Sequence, residues 1–251
     1  MRVLTDNLAA SATLLGSGGS ALAAATGYTV ASLTDGRLDR PWKSPTAGST
    51  HQIVLDLGSA QSASAAAVFD LYAPVFLNGR VSIYTGTSAT GPWTKRADLT
   101  GAGRRDWGGT FAPVSSRYWM VELFSLTSGT QPELGEIVLG VPTDLPCATA
   151  LSPRLVEQVE TNGSQATKTG EEIASFGIAW PVLTEAEHAA LILFRRAVGG
   201  ALKSFVLWPR PAKAGGVYLV RLAAGIGWNE DLDLYDGVAL EATELARVLR
   251  G

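Results

Sequence analysis

The stretch HQIVLDLGSAQSASAAAVFDLY, residues 51–72, decides the fold of the first half of the chain. Apolar Ile53 and Leu55 alternate with polar Gln52 and Asp56, which is the period of a β-strand with one buried face. A second apolar run follows the serine- and alanine-rich middle, and similar runs recur beyond it. The strands predicted in this half are 51–58, 65–72, 79–86, 116–125 and 135–140. Many short strands separated by turn residues indicate a mainly β fold with a β-sandwich.

The composition indicates a folded protein that does not bind nucleic acid. Of the 251 residues, 46% are hydrophobic and 17% are charged, and the formal net charge is −3. Because no basic stripe is visible, we expect no nucleic-acid partner. The single cysteine, Cys147, excludes an internal disulfide and fits a reducing compartment. No apolar run is long enough to span a bilayer, and the N-terminus lacks a secretory signal.

No motif in the sequence predicts catalysis or a metal site. The chain lacks a Gly-x-Ser-x-Gly elbow, a phosphate-binding loop and a His-Glu-x-x-His zinc motif. The acidic run NEDLDLYD at 229–236 lacks the glycine and the terminal glutamate of an EF-hand. We therefore predict that the protein is not an enzyme and has no cofactor and no metal site. A carboxylate pair for glycoside hydrolysis stays open, because its members need not be close in sequence.

The second half has a different pattern of predicted elements, with a helix among the strands, and this pattern indicates a small α+β domain. The proline-containing segment VPTDLPCATALSP, within 141–153, indicates a linker that we place at 142–153. Beyond it, residues 154–251 follow the order β-β-α-β-β-β, with a hairpin-like turn at Asn162. This order predicts one helix packed on an antiparallel sheet.

The helix of this domain has clear start and stop signals. Thr184 and Glu187 form a capping-box pattern at its start, and Gly199-Gly200 ends it. The residues predicted for its buried face are Ala190, Leu191, Phe194, Ala197 and Val198. Ile192 falls on the other face, either as a scattered exposed residue or as a contact with another subunit. The candidate interface residues are Ile192, Arg195 and Arg196.

The order of motifs in the first 141 residues resembles the discoidin-like, or galactose-binding-like, jelly-roll family. An Asp-Gly pair precedes Trp-x-Ser, and a Leu-Asp-Leu-Gly strand end follows. A Val-x-Ile-Tyr strand then leads to a Gly-Pro-Trp turn, Ser-Arg-Tyr opens a long strand, and Gly-Glu-Ile closes the unit. The resemblance implies a domain at 1–141 that binds sugars, lipids or protein surfaces through loops at one end of the sandwich.

A sugar site needs an aromatic platform with polar groups around it. Trp107 in GAGRRDWGG is the leading platform candidate, while Trp42 and Trp93 have a competing interpretation as packing residues at the ends of the sandwich. The candidate ligand-binding residues are Trp107, Arg104, Arg105, Asp106, Trp42 and Arg40.

The C-terminal hundred residues are similar in pattern to distal-tail and tail-tip proteins of long-tailed bacteriophages. The positions that carry this pattern are Trp180, Leu183, Phe194, Gly199, Gly200, Phe205, Trp208 and Pro209. The resemblance implies a tail-tube-like fold that forms a homo-oligomeric ring, as a hexamer or a trimer, and contacts other tail-tip and tail-tube proteins. It also implies assembly in the host cytoplasm and a place in the virion tail.

The sequence therefore supports two hypotheses of different classes. In the first, the chain is a structural component of a phage tail tip or baseplate, and its jelly roll docks neighbours or contacts a cell-surface glycan. In the second, it is a free carbohydrate-binding protein or the accessory binding module of a glycan-degrading enzyme. Mass in solution separates them, because a ring and a compact monomer differ severalfold.

Overall fold

A computed structural model shows the chain divided into two compact units. The first, which we call the jelly-roll unit, contains Asp6–Pro142. The second, the helix–sheet unit, contains Met1–Thr5 and most of the chain after Thr143. The structure describes residues 1–72, 79–101, 105–124, 129, 131–146, 150–156, 160–162, 165–167, 173–199, 203–209, 216–222 and 236–245.

Strands dominate both units. In chain order they are β1 (Arg2–Leu4), β2 (Thr13–Leu15), β3 (Trp42–Lys43), β4 (Thr50–Phe69), β5 (Arg80–Gly86), β6 (Trp93–Gly101), β7 (Trp107–Phe124), β8 (Glu133–Leu134), β9 (Glu136–Gly140), β10 (Thr143–Asp144), β11 (Ala150–Val156), β12 (Glu160–Asn162), β13 (Gln165–Thr167), β14 (Ile173–Val182), β15 (Phe205–Trp208), β16 (Tyr218–Leu222) and β17 (Asp236–Glu244). The helix α1 spans Glu185–Val198, and two 3-10 helices span Leu8–Ser11 and Val30–Leu33.

The jelly-roll unit is a β-sandwich, as the sequence predicted. Its main antiparallel sheet has the order β2-β4-β7-β5-β6, with β9 paired to β4, and a short ribbon joins β3 to β8. One face of the main sheet contributes Ile53, Ile83 and Val121 to a core that also contains Trp42 and Trp119. The alternation read from the sequence therefore marks the buried face of the central strands.

One long strand replaces two predicted ones. The run predicted as a strand at 51–58 and most of the run at 65–72 lie in β4, which ends at Phe69 and stays paired with β7 along most of its length. The pairing register shifts between Asp56 and Gln61, and again between Ala63 and Ala65. These irregularities take up the small residues that we interpreted as a turn, because a bulge bends a strand without ending it.

The helix–sheet unit is built on seven antiparallel strands in the order β10-β1-β15-β16-β17-β14-β11. The predicted β-β-α-β-β-β order is present as β11, β14, α1, β15, β16 and β17. Asn162, where the sequence predicts a turn, ends β12 and pairs with Gln165 of β13. The strand β1 was not assigned to this unit from the sequence, because its partners in β15 lie about two hundred residues away.

The units divide the chain differently from the predicted boundaries of 1–141, 142–153 and 154–251. Met1–Thr5 belongs to the helix–sheet unit, and the predicted linker contains β10 and the first residues of β11. The jelly roll is consequently an insertion in the helix–sheet unit rather than a domain in front of it.

The helix α1 begins and ends as predicted. The Thr184 hydroxyl accepts a hydrogen bond from the Glu187 backbone at 3.3 Å, and the Glu187 carboxylate accepts one from the Thr184 backbone at 2.8 Å. Gly199 follows in the left-handed conformation, with φ 59° and ψ 39°. Among the described residues, none of the helices has the length and apolar character needed to cross a bilayer.

The predicted buried face of α1 is correct at its centre and wrong at one position. Leu191, Phe194 and Val198 are buried, and the Phe194 ring meets that of Phe205 edge-on at 5.1 Å between centroids. Ala197 is exposed instead. The reason is geometric: Ala197 lies a hundred degrees from Val198 around the helix, beyond the edge of the stripe that touches the sheet.

Candidate functional site

Polar and aromatic side chains gather at the end of the jelly roll where β4 ends and β7 begins. Val68 of β4 pairs with Trp107 of β7, so the residues that follow Val68 and those that precede Trp107 meet at this end. Asp70 and Tyr72 come from the first segment, and Arg105 comes from the second. The antiparallel pairing thus brings together residues that are about 35 positions apart.

Arg105 is held between a carboxylate and an aromatic ring. Its Nη1 lies 3.4 Å from Oδ1 of Asp70, and its guanidinium carbon lies 5.0 Å from the centroid of the Tyr72 ring. The Leu71 N–H donates to the Arg105 carbonyl at 2.9 Å, which fixes the backbone as well. A guanidinium at this distance over a ring makes a cation–π contact.

The carboxylate of Asp70 is a buried anchor for Arg105. Asp70 is fully buried and has a φ of 53°, a left-handed conformation that is uncommon outside glycine. Its backbone N–H donates to Oδ1 of Asp106 at 3.0 Å, and Asp106 is itself buried. Unusual backbone conformations persist where surrounding contacts impose them and are frequent at functional sites. Asp106 therefore positions Asp70, which in turn positions Arg105.

A second cation–aromatic pair lies on the adjoining ribbon. Lys43 Nζ is 3.1 Å from Oε1 of Glu133 and 5.5 Å from the centroid of the Tyr28 ring. Tyr72 and Glu133 exchange two backbone hydrogen bonds, each 2.9 Å long, which join this pair to Arg105. We call the resulting set the tyrosine–cation row; its members are Tyr28, Lys43, Glu133, Tyr72, Arg105 and Asp70.

The tyrosine–cation row combines the groups that recognise a sugar. Tyrosine rings offer a flat apolar surface with a polar edge, which suits the C–H face of a pyranose. Guanidinium and ammonium groups donate hydrogen bonds to hydroxyl oxygens, while carboxylates accept from hydroxyl hydrogens. The Tyr28 residue is 36% exposed, and the side chains of Lys43 and Arg105 are 28% and 26% exposed. The side chains of Tyr28, Lys43 and Arg105 therefore reach solvent, whereas the Asp70 carboxylate is buried and acts only through Arg105.

Some of the predicted ligand residues lie in or next to this row, whereas others pack in the sandwich. We use the term sandwich wall for the part of the main sheet where Trp107 packs against Gly101. Arg105 is in the row, and Asp106 supports it from below. Trp107 is partly buried and packs on the core, with its indole so close to Gly101 that a Cβ there would approach the ring to 2.8 Å. Arg104 lies outside the described residues, as do Cys147 and residues 229–235 of the acidic run.

Trp42 is a core residue, which corrects its assignment as a candidate ligand residue. It is 2% exposed, and its indole N–H donates to the Ala23 carbonyl at 2.9 Å. Successive side chains of a strand point to opposite faces, so Trp42 in β3 points inward while its neighbour Lys43 reaches the row. Arg40 is exposed and precedes β3. The competing interpretation of Trp42 as a packing residue is the correct one.

Sequence reasoning missed Tyr28, Lys43, Tyr72 and Glu133. They are separated by up to about a hundred residues. The β3–β8 pairing and the Tyr72–Glu133 bridge bring Lys43, Glu133 and Tyr72 together, and a loop that hydrogen-bonds to Lys43 through Ala25 places Tyr28 beside them. A usable signal was present in DLY at the end of the 65–72 run. A polar residue and an aromatic residue directly after an apolar strand lie at the sheet end where binding residues concentrate.

A chemically similar but isolated arrangement lies elsewhere on the sandwich. Arg117 makes two contacts with Asp56, at 2.6 and 2.8 Å, and lies 4.9 Å from the centroid of the Tyr118 ring. The Arg117 hydrogen bond holds the pKa of Asp56 below its usual range. No second tyrosine–cation pair among the described contacts is joined to this triad. It provides a matched control for the row.

The buried carboxyl group of Glu136 is the centre of a second polar cluster in the jelly-roll unit. Glu136 accepts hydrogen bonds from the Gly36 N–H at 2.9 Å and from the Asn7 amide at 3.1 Å. Burial raises the pKa of Glu136 to about 9, and the nearby charge of Asp35 adds to this, against the effect of the hydrogen bonds. In the described part of the chain, no three His, Cys, Asp or Glu residues are grouped so that they could hold a metal ion.

The candidate subunit contacts lie on α1. Arg196 is exposed, whereas Ile192 and Arg195 are partly buried. Leu193, which the sequence interpretation did not single out, is 64% exposed and is the most exposed large apolar side chain described.

No protein-family profile matches the chain, and no curated protein matches it in sequence. Similar solved structures include carbohydrate-binding modules. Chitosan-binding module 2 of a Paenibacillus sp. IK-5 chitosanase/glucanase, solved with chitotriose, is 23% identical over 53% of this chain and 99% of the module, with a TM-score of 0.44. The module CpGH89CBM32-5 of Clostridium perfringens, solved with GalNAc-β-1,3-galactose, is 10% identical over 55% and 99%, with a TM-score of 0.43.

A third similar structure belongs to a longer protein. The GH29 fucosidase of Ruminococcus gnavus is 16% identical over 57% of this chain and 28% of its own, with a TM-score of 0.44. The chain likewise spans only 28% of SpGH29. None of these structures is a phage tail protein, so the predicted tail resemblance has no counterpart among them.

Proposed function

We propose that the jelly-roll unit binds a carbohydrate through the tyrosine–cation row. The observation that carries the proposal is the placement of Arg105 over the Tyr72 ring by the buried carboxylate of Asp70. A guanidinium whose direction is fixed before binding loses little conformational freedom when it meets a hydroxyl. A preorganised donor beside an aromatic ring provides the polar and the apolar contact that a sugar ring can make.

The composition of the row favours a glycan over a lipid. Its described members are two tyrosines and four charged residues, without an aliphatic side chain that could take up an acyl chain. Sugars need both donors and acceptors, and the Lys43–Glu133 pair supplies one of each at 3.1 Å. The second tyrosine, Tyr28, extends the aromatic surface beside that pair, so the row suits more than one sugar ring.

We propose a role in binding rather than catalysis. Asp70 and Asp106 are fully buried and hold Arg105 and the backbone. Glu133 is bound to Lys43. Carboxylates engaged in this way are positioned to orient cations, not to exchange protons with a glycosidic oxygen. The chain would act as a free carbohydrate-binding protein or as the binding module of a glycan-degrading enzyme.

Isothermal titration calorimetry against a panel of soluble oligosaccharides tests the proposal. The panel includes chitotriose and GalNAc-β-1,3-galactose, together with neutral and acidic glycans. For any glycan that binds, Arg105→Ala should weaken affinity at least tenfold, which is about 1.4 kcal/mol. The control Arg117→Ala removes an arginine of the same chemistry and should leave affinity unchanged. Equal losses in both variants, or no loss with Arg105→Ala, would overturn the proposed site.

A structural role in a phage tail tip is the second candidate function. The observation that favours it is the sequence of a capped helix, left-handed Gly199 and the buried strand Phe205–Trp208, as the tail resemblance implies. In this case the helix–sheet unit would form a trimeric or hexameric ring in the virion tail, and the inserted jelly roll would contact a host glycan. Mass measurement by light scattering tests it: a stable trimer or hexamer supports this role, and a species no larger than a dimer at high concentration rejects it.

A further inference from the structure

The face of α1 that points away from the sheet is apolar along its centre. Leu193 is 64% exposed, and Ala186, Ala189 and Ala197 are exposed as well. Spacings of three and four residues place these four side chains in one line along the helix. Surface helices of globular proteins normally carry polar residues on this face. The line therefore needs an explanation beyond the packing of the helix on its own sheet.

Charges of opposite sign flank the two ends of this line. Glu185 is exposed in the first turn of α1, and Arg196 is exposed in the last. Eleven residues separate them, which corresponds to about 16 Å along the helix axis. Midway between them lie Ala189 and Leu193. When two copies of this helix lie side by side in opposite directions, the acidic end of each therefore faces the basic end of the other.

We propose that a second copy of this chain packs antiparallel on this face and forms a two-fold dimer. In that arrangement Leu193 of each copy lies against Ala189 of the other, and Glu185 of each lies beside Arg196 of the other. Alanines permit close approach of the helix axes. A parallel arrangement would instead place like charges next to each other, which disfavours it.

The dimer forms in a concentration-dependent manner. A helix of 14 residues is only about 21 Å long, and its contact falls below the ~1,000 Å² typical of stable interfaces. Weak pairing still matters for a protein that meets a polymeric ligand. Two glycan-binding rows in one dimer raise avidity on a surface without any new contact. This consequence rests on the proposed function, whereas the dimer itself does not.

Sedimentation velocity of the full chain over a wide concentration range tests the proposal. The native protein should shift from monomer to dimer as concentration rises. Leu193→Asp should weaken the dimer at least tenfold, because a charge would be buried at its centre. Val141→Asp is the matched control: Val141 is 54% exposed, apolar and outside α1, so this variant should dimerise normally. A native chain that stays monomeric, or a Leu193→Asp variant that dimerises normally, would overturn the proposal.

Charge reversal tests the antiparallel direction separately. Glu185→Arg and Arg196→Glu should each weaken the dimer, since each places like charges across the contact. The double variant Glu185→Arg/Arg196→Glu should restore it. If the double variant is weaker than both single variants, the two residues do not face each other and the antiparallel arrangement is wrong. Glycan affinity of the separate monomer should be the same in all these variants, so a failure here leaves the binding row unaffected.

Discussion

Arg2 and Asp144 form a two-point ion pair across 142 positions of sequence. Arg2 Nε and one terminal nitrogen contact the Asp144 carboxylate at 2.7 and 2.9 Å, while β1 and β10 pair with Val3 opposite Thr143. The Arg2 hydrogen bond holds the pKa of Asp144 below its usual range. The chain therefore leaves the helix–sheet unit and returns to it at neighbouring points, with the whole jelly roll between them.

Because of this pairing, the jelly roll should be removable. Replacing residues 5–141 by Asn-Gly would connect Leu4 to Pro142 through a two-residue hairpin turn, the geometry that antiparallel strands favour. The shortened chain should give a soluble helix–sheet unit with cooperative thermal unfolding, followed by circular dichroism. A separate chain of residues 6–142 should also fold. If the shortened chain is unfolded while residues 6–142 fold, the helix–sheet unit depends on its insertion.

The buried Glu136 predicts an unusual dependence of stability on pH. Its pKa is about 9 in the folded protein and about 4.3 in an unfolded chain. Between these values folding takes up a proton, so the free energy of unfolding should fall as pH rises, by up to ~1.4 kcal/mol per pH unit. Glu136→Gln keeps the shape of the neutral carboxyl and should flatten this slope.

Chemical denaturation from pH 5 to about pH 9, with a chelator present, measures this effect. Without the chelator, a divalent cation could neutralise the carboxylate and hide the slope. As a second variant, Asp35→Asn removes a charge that raises the pKa of Glu136 in the folded protein. The fall in stability should therefore still begin near the unfolded-state pKa but end at lower pH, so the total loss is smaller. A Glu136→Gln profile parallel to that of the native protein would show that the buried carboxyl is not protonated.

Gly101 makes room for Trp107 in the sandwich wall. An added Cβ would lie 2.8 Å from two atoms of the indole, so Gly101→Ala should destabilise the jelly-roll unit by about 1–3 kcal/mol, the usual cost of overpacking. Thermal unfolding monitored by tryptophan fluorescence measures it. Gly18→Ala, where nothing lies within 4 Å, should be close to neutral. If both variants are equally stable, Trp107 is free to move and does not belong to the wall.

The capping box predicts a measurable loss of stability in the helix–sheet unit. Thr184→Ala removes the acceptor of the Glu187 backbone hydrogen bond and should cost about 1 kcal/mol. Thr184→Ser keeps the hydroxyl and should retain most of the stability. Urea unfolding of the unit compares the two variants, and a Thr184→Ala variant as stable as the serine variant would show that the cap contributes nothing.

Local patterns predicted the elements, whereas long-range pairing decided the domains and the site. The ends of α1 follow from Thr184, Glu187 and Gly199 because capping depends on residues a few positions apart. The assignment of β1 to the helix–sheet unit depends on partners in β15, and no local period reveals such a partner. The same limit applies to the bulges of β4, where small residues that usually form a turn keep their strand pairing.

In the candidate site, too, residues close together in sequence were predicted and residues joined by long-range pairing were missed. Arg105 and Asp106 were predicted because arginine, aspartate and tryptophan are adjacent in RRDW. Tyr72 and Lys43 were not, because they reach Arg105 only through the pairing of β4 with β7 and of β3 with β8. Trp42 was wrong as a ligand candidate. In a two-residue strand one side chain points into the core and the other points outward, and the sequence does not show which of Trp42 and Lys43 points inward.

The most direct test of the carbohydrate-binding row is a titration followed by arginine side-chain nuclear magnetic resonance. The Nε–Hε signals of Arg105 and Arg117 are observed while an oligosaccharide that binds in calorimetry is added. If the row binds the sugar, the Arg105 signal shifts with the same affinity as the calorimetric binding, and the Arg117 signal stays in place. An unmoved Arg105 signal at saturating oligosaccharide would contradict this prediction.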